Sequence, residues 1–238
     1  MATSQGWACI TQNEWQASWL DNAGIPAFER DDISAGSSLT DGVLSHFSDL
    51  LYKDFPKDAP LYIATPECLL APESYIGEAS KLIHTVLDET IPDASVQTVG
   101  LPKPDESCLV FSCPPALMAL WQSVAPKGKV IPLVERDVNL LFNQTTSPDC
   151  ALLHVLPGYI QVSIKASGQF LLCNAFRYQE SEEASLMVKA VIQQFFQHAD
   201  PEVIVLYVGG TEKDIAISLA KSLGANAPVI PESSYWLE

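Results

Sequence analysis

The side chains best suited to chemistry are few and scattered. His46, His84, His154 and His198 lie far apart, and none has a histidine or cysteine partner at ligand spacing, so no metal site is expected. Cys108 and Cys113 are separated by four residues and run into Pro114-Pro115, unlike the paired cysteines of a zinc knuckle. The acid pairs Asp31-Asp32 and Glu182-Glu183 read as an exposed loop and a helix start, where carboxylates are common, and not as a catalytic dyad. There is no Walker loop, nucleophile elbow or dinucleotide glycine fingerprint, which removes the usual handles on a hydrolase or dehydrogenase. What remains is Gly209-Gly210-Thr211, between an apolar run and a helical pattern. Its bare amides could approach a ligand, but glycines also suit any tight strand-to-helix turn, and Thr211 with Asp214 fits a helix cap.

The elements that position these residues are clearest in the second half. Cys150 to Leu156 is apolar, and Tyr159 to Lys165 alternates, with Ile160, Val162 and Ile164 on one face and Gln161, Ser163 and Lys165 on the other. With Gln169 to Ala175 these runs make an antiparallel meander turning at Pro157-Gly158 and Ser167-Gly168. Ser181 then caps a helix whose apolar stripe is Ala184, Met187, Val188, Val191 and Phe195. A doubly covered strand follows at Val203 to Val208, then a helix ending near Leu223-Gly224 and a short strand at Ala227 to Ile230.

The first half repeats that order: strands at Trp7 to Gln12, Trp15 to Leu20 and Ile25 to Glu29, then a helix from Thr40, then the apolar strand Leu61 to Ala64. The helix is expected to bury Val43, Leu44, Phe47, Leu50 and Leu51, and the face carrying Trp15 and Trp19 is read as core. Between the halves, helices are expected at Glu73 to Leu87, from Pro114-Pro115 through Trp121, and at Arg136 to Asn143, with strands at Ser95 to Val99, Cys108 to Ser112 and Lys129 to Leu133. Residues 1–145 thus read as one lobe, with an inserted or connecting segment at about 66–143, and 146–238 as a second.

Composition bounds the partners. Thirteen lysines and arginines against 29 acids give a formal charge of −16, which repels nucleic acid and anionic lipid. No apolar run approaches the ~20 residues of a membrane span, and Met1 to Gly6 lacks a signal-peptide pattern, so the expected location is the cytoplasm. Five of the six cysteines sit in apolar or strand-like contexts, where a reduced thiol packs as a small hydrophobe.

The stretches Leu61-Tyr-Ile-Ala-Thr65, Leu69-Leu-Ala-Pro72-Glu73 and Gly168 through Tyr178 resemble an uncharacterised Bacteroidetes family of similar length. That resemblance covers most of the chain. It implies an α/β, actin-like (ribonuclease H-like) duplicated fold, with two lobes that each carry a βββαβα core and a ligand cleft between them. The segment Cys108 to Asn143 is similar to the connecting region of actin-like pilus-assembly and secretion-platform proteins.

Active members of the wider superfamily carry an acid and a glycine at the turn between the first two strands of each lobe, to place magnesium and admit phosphate to backbone amides. Here the first turn, Thr11-Gln-Asn13-Glu14-Trp15, has no glycine, and the second, Leu156-Pro157-Gly158-Tyr159, has no acid. Gly209, Gly210 and Thr211 match the superfamily's adenosine-contacting position better. The expectation is a non-catalytic protein, a pseudo-ATPase acting as an interaction or scaffold module with an unknown protein partner; a homo-oligomer is compatible with it. The alternative is a nucleotide-binding protein or slow ATPase, with Gly158, Gly209, Gly210 and Thr211 at ATP and Glu14 placing magnesium.

Overall fold

Apolar alternation, short turns and two helix-covered strand runs resolve into two five-stranded sheets. The structure, a computed structural model, describes residues 6–12, 14–33, 39–87, 90–101, 107–143, 145–197, 201–208, 210–224 and 227–231. In chain order the elements begin with β1 (Gly6–Ile10), β2 (Glu14–Leu20), β3 (Pro26–Asp32), α1 (Leu39–Leu50), β4 (Leu61–Ile63) and β5 (Cys68–Pro72). A 3-10 segment (Glu73–Glu78) leads into α2 (Ala79–Val86), followed by β6 (Val96–Gly100), β7 (Ser107–Ser112), α3 (Pro115–Val124), β8 (Val130–Pro132) and α4 (Leu133–Asn143). The last are β9 (Cys150–Leu156), β10 (Tyr159–Ala166), β11 (Gln169–Arg177), α5 (Ser181–Phe195), β12 (Glu202–Tyr207), α6 (Gly210–Ser222) and β13 (Val229–Pro231).

The sheet orders are β3-β2-β1-β4-β8 and β11-β10-β9-β12-β13, the same arrangement built twice, with a small third sheet ordered β5-β7-β6. In each large sheet the first three strands form an antiparallel meander and the rest pair in parallel. Two compact units result: Met1–Thr65 with Gly77–Val99 and Val110–Leu133, and Pro66–Ile76 with Gly100–Leu109 and Val134–Glu238.

In the first unit the tryptophan face is core. Trp15 lies 6.4 Å from Phe47 of α1, which lies 5.1 Å from Trp121 of α3, and Phe55 joins Trp121 to Trp19 at 5.7 and 5.5 Å. These separations suit edge-to-face aromatic packing. On α1 the buried stripe is Val43, Phe47 and Leu50. The expected burial of Leu44 and Leu51 is not met: both are exposed, Leu44 because it stands one residue off the 43-47-50 stripe and Leu51 because it follows the last helical residue. The helix expected from Glu73 begins only at Ala79; the preceding 3-10 turn buries no residue, so nothing holds it as a regular helix.

In the second unit β9 is buried along its whole length. One face of its sheet packs Ala151, Leu153, Val155, Ile160, Val162 and Ile164 against Ala184 and Val188 of α5 and Ala216 and Leu219 of α6. The other face carries Gln161, Ser163 and Lys165, and these are buried too. Helix α5 starts as expected, but Glu180, with extended backbone, holds the cap position assigned to Ser181. Glu183 supplies the reach-back bond there, accepting from the Gln179 N–H at 3.0 Å. No helix among the described residues is long and apolar enough to cross a membrane.

Candidate functional site

Two places in the second unit fall at the carboxyl ends of parallel strands, where open α/β sheets hold their ligands. Tyr207 of β12 is in register with Val155 of β9, and the Val208 N–H donates to the Val155 carbonyl at 3.2 Å. The β9–β10 turn and the start of α6 therefore lie at one end of the sheet. The structure thus brings Gly158 and Gly210 to the same end; Gly209 lies outside the described residues, as does the side chain of Thr211. The expected Thr211–Asp214 cap lies outside them for the same reason.

The turn itself is Pro157-Gly158, with Gly158 at φ +79°, the residue pattern of a type II turn. Proline offers no N–H, so half of the two-residue turn cannot donate to an anion. Tyr178 occupies the neighbourhood. Its N–H donates to the Gly158 carbonyl and its hydroxyl to the Leu156 carbonyl, both at 3.2 Å. Burial, and then the negative charge of Glu212, push the Tyr178 hydroxyl above its ordinary pKa. Glu212 stands in the first turn of α6, where it already complements the helix dipole that a phosphate would otherwise use.

The corresponding turn of the first unit is closed by its own backbone, with the Thr11 N–H donating to the Glu14 carbonyl at 2.8 Å. The Glu14 carboxylate is almost wholly buried and receives Nη2 of Arg30, from β3, at 2.5 Å. Asn13 lies outside the described residues.

The other candidates fall apart spatially. His46 stacks on Trp15 at 4.9 Å, and His84 Nε2 lies 2.6 Å from the Ile91 carbonyl oxygen. His198 and the Tyr235-Trp236 tail lie outside the described residues. All six cysteines are buried and outside any disulfide. Among the described residues no three His, Cys, Asp or Glu side chains gather as a metal site would.

Sequence reasoning missed a polar layer under the second sheet. His154 Nδ1 is 3.2 Å from both carboxylate oxygens of Asp137 on α4; a carboxylate only accepts, so Nδ1 carries the proton. Lys165 Nζ donates to the Leu141 carbonyl at 2.7 Å and to Thr145 Oγ1 at 2.5 Å, closing the carboxyl end of α4 with a cation. Gln161 Nε2 donates to Cys173 Sγ at 3.3 Å, and a hydrogen bond with the Cys68 thiol, then burial, hold Cys173 well above the usual thiol range. The only signal was the alternation of Gln161, Ser163 and Lys165, which also describes a strand with one wet face.

The fold defined by the duplicated sheet order is the actin-like ATPase fold. Over 97% of this chain and 92% of the other, it superposes with TM-score 0.76 and 14% identity on a Bacteroides thetaiotaomicron protein with actin-like ATPase fold and unknown function. A chain of the PilM–PilN type IV pilus biogenesis complex matches with TM-score 0.60 and 12% identity, over 97% of this chain and 88% of its own. No family model matches the sequence, and no curated protein matches it.

Proposed function

We propose that this chain is a non-catalytic, cytoplasmic interaction or scaffold module built on the actin-like fold. The observation that carries the reading is the Arg30–Glu14 pair: the one carboxylate at either phosphate turn is buried against a guanidinium and has no charge to spare for magnesium. Pro157, Tyr178 and Glu212 at the other turn support the same reading. Buried cysteines without disulfides suit a reducing compartment. The PilM–PilN structure, itself a protein complex, gives the interaction reading a precedent in this fold.

A second reading has one observation in its favour, the placing of Gly158 and Gly210 at the carboxyl ends of β9 and β12. In it Gly158, Gly209, Gly210 and Thr211 contact ATP and magnesium. Thermal unfolding with and without millimolar ATP and magnesium separates the two, because a ligand that binds only the folded state must raise the midpoint. The interaction module gives no shift and no turnover. A saturable rise, lost when Gly210 is made bulky, establishes the second reading instead.

A further inference from the structure

We infer that the outer edge of β3 is a docking strand for a basic, extended segment of a partner protein, an assignment that rests on the interaction-module reading above. A sheet edge presents a row of unpaired amides and carbonyls, and natural proteins blunt such edges by shortening or covering them. Three of the four edges of the two large sheets are blunted in this way: β8 and β13 are three residues each, and β11 is flanked by β5, with Arg177 Nη2 3.3 Å from Glu67 Oε1. The seven-residue β3 is the exception. It pairs only with β2; on its outer side the Asp32 N–H is taken up by Asp31 Oδ1 at 2.9 Å and Pro26 brings no N–H, which leaves the Phe28 and Arg30 amides facing outward.

The side chains along this edge favour a guest. Ile25 and Phe28 are 60% and 56% exposed, and a hollow of about 550 Å3 opens where the turn before the strand, from Leu20 to Gly24, meets Phe55 and Pro56. An added strand gains main-chain hydrogen bonds from the edge and specificity from such a pocket.

Charge selects the occupant. Of the basic groups here Arg30 is engaged by Glu14 and Lys53 by Glu29, while Lys57, which also lines the hollow, donates to the Val124 carbonyl. Asp31 and Asp32 at one end of the strand, and Asp21 and Asp54 beside the hollow, have no lysine or arginine partner among the described residues. The edge is therefore acidic, on a chain of formal charge −16. A second copy would bring the same acids against these; a strand alternating apolar residues with lysine or arginine complements them.

The test is a random-peptide phage selection against the purified full-length chain, with affinities measured on the synthesised winners and hydrogen exchange used to locate them. Winners should alternate apolar and basic residues and slow exchange within residues 26–32. The surface variant Asp31→Lys/Asp32→Lys, checked for native circular dichroism, should weaken them about tenfold or more, since rim charges act on association. Phe28→Pro, at a position whose N–H faces away from β2, serves as an independent variant that removes an edge donor without touching charge and should weaken the winners likewise. The inference fails if no binder is recovered, if binding to the charge-reversed chain is unchanged, or if dimerisation of the chain itself protects the same amides. Binders that protect another surface sink the β3 assignment but leave the interaction module standing, whereas magnesium-ATP stabilisation sinks the module itself.

Discussion

Removing Asp137 alone should damage the second unit more than removing Asp137 and His154 together. The carboxylate and imidazole are 4% and 1% exposed at the side chain, and Nδ1 sits 3.2 Å from each carboxylate oxygen. Both groups have given up hydration, so their worth lies in each other. Asp137→Ala leaves a buried Nδ1–H without its acceptor, and breaking a buried pair in this way costs about 3–5 kcal/mol. For a chain of this size that is a fall of about 6–20 °C in the unfolding midpoint. Asp137→Leu with His154→Leu removes both polar groups and supplies apolar volume; such replacements run from nearly neutral to stabilising, so the double variant should recover most of the loss. Urea unfolding of the wild type, Asp137→Leu, His154→Leu and the double variant gives the cycle directly, with coupling read from the failure of the losses to add. If Asp137→Ala costs under about 1 kcal/mol, or the double variant loses the sum of the singles, the pair is not acting as a buried unit and the argument is wrong.

Three further outcomes follow from the packing. Lys165→Met keeps the stem but strips the Leu141 carbonyl and the Thr145 hydroxyl of their cationic donor, and should cost about 2–3 kcal/mol by the same urea assay. Gly128→Ala places a methyl 2.1 Å from the Ala59 carbonyl oxygen, a backbone atom that cannot swing aside, and should cost about 1–3 kcal/mol; Gly100→Ala meets nothing within 4 Å and serves as its control. Burial pushes Cys113 up to about 12 and Cys150 up to about 11, so between the unfolded thiol value and those values the unfolded state holds fewer protons than the folded one. The contribution of these two thiols to stability should be constant below about pH 8.5 and fall as pH rises above it, and changing both cysteines to alanine or serine should make the alkaline limb shallower in a pH series of unfolding curves.

Long periodic runs carried most of the fold in readable form. The bounds of β9 and the order of strands around it follow from Cys150 to Leu156 being apolar throughout and the next run alternating. β5 was invisible because Cys68-Leu-Leu-Ala-Pro72 is short, ends in proline, and could belong to a loop or a buried turn as easily as to a strand. The register of α1 is misread at Leu44 and Leu51 for a different reason: adjacent apolar residues, Val43 beside Leu44 and Leu50 beside Leu51, blur a stripe that only the partner face defines. The turns of the candidate site could be located from Pro157-Gly158 and the run before Gly209, but what neutralises Glu14 could not. Arg30 is 16 residues away, and the pairing depends on β3 lying beside β2 in one register. The polar layer was hidden likewise, since His154 and Lys165 meet Asp137 and Thr145 through folding and not through spacing.

The interleaving of the two units has a consequence for how the chain is made. β5 and α4 are synthesised before the sheet whose polar face they contact, and Cys68 leaves the ribosome about a hundred residues ahead of Cys173. At ordinary elongation rates that is a wait of about 5–20 s, during which the apolar stretch Cys68-Leu-Leu-Ala has no final partner. The first unit cannot close before residue 133 emerges, because β8 lies within its last segment. Nascent chains stalled once Leu133 has cleared the ribosome should therefore already contain a protease-resistant first unit while still presenting β5 to chaperones, whereas release after β11 should hide it.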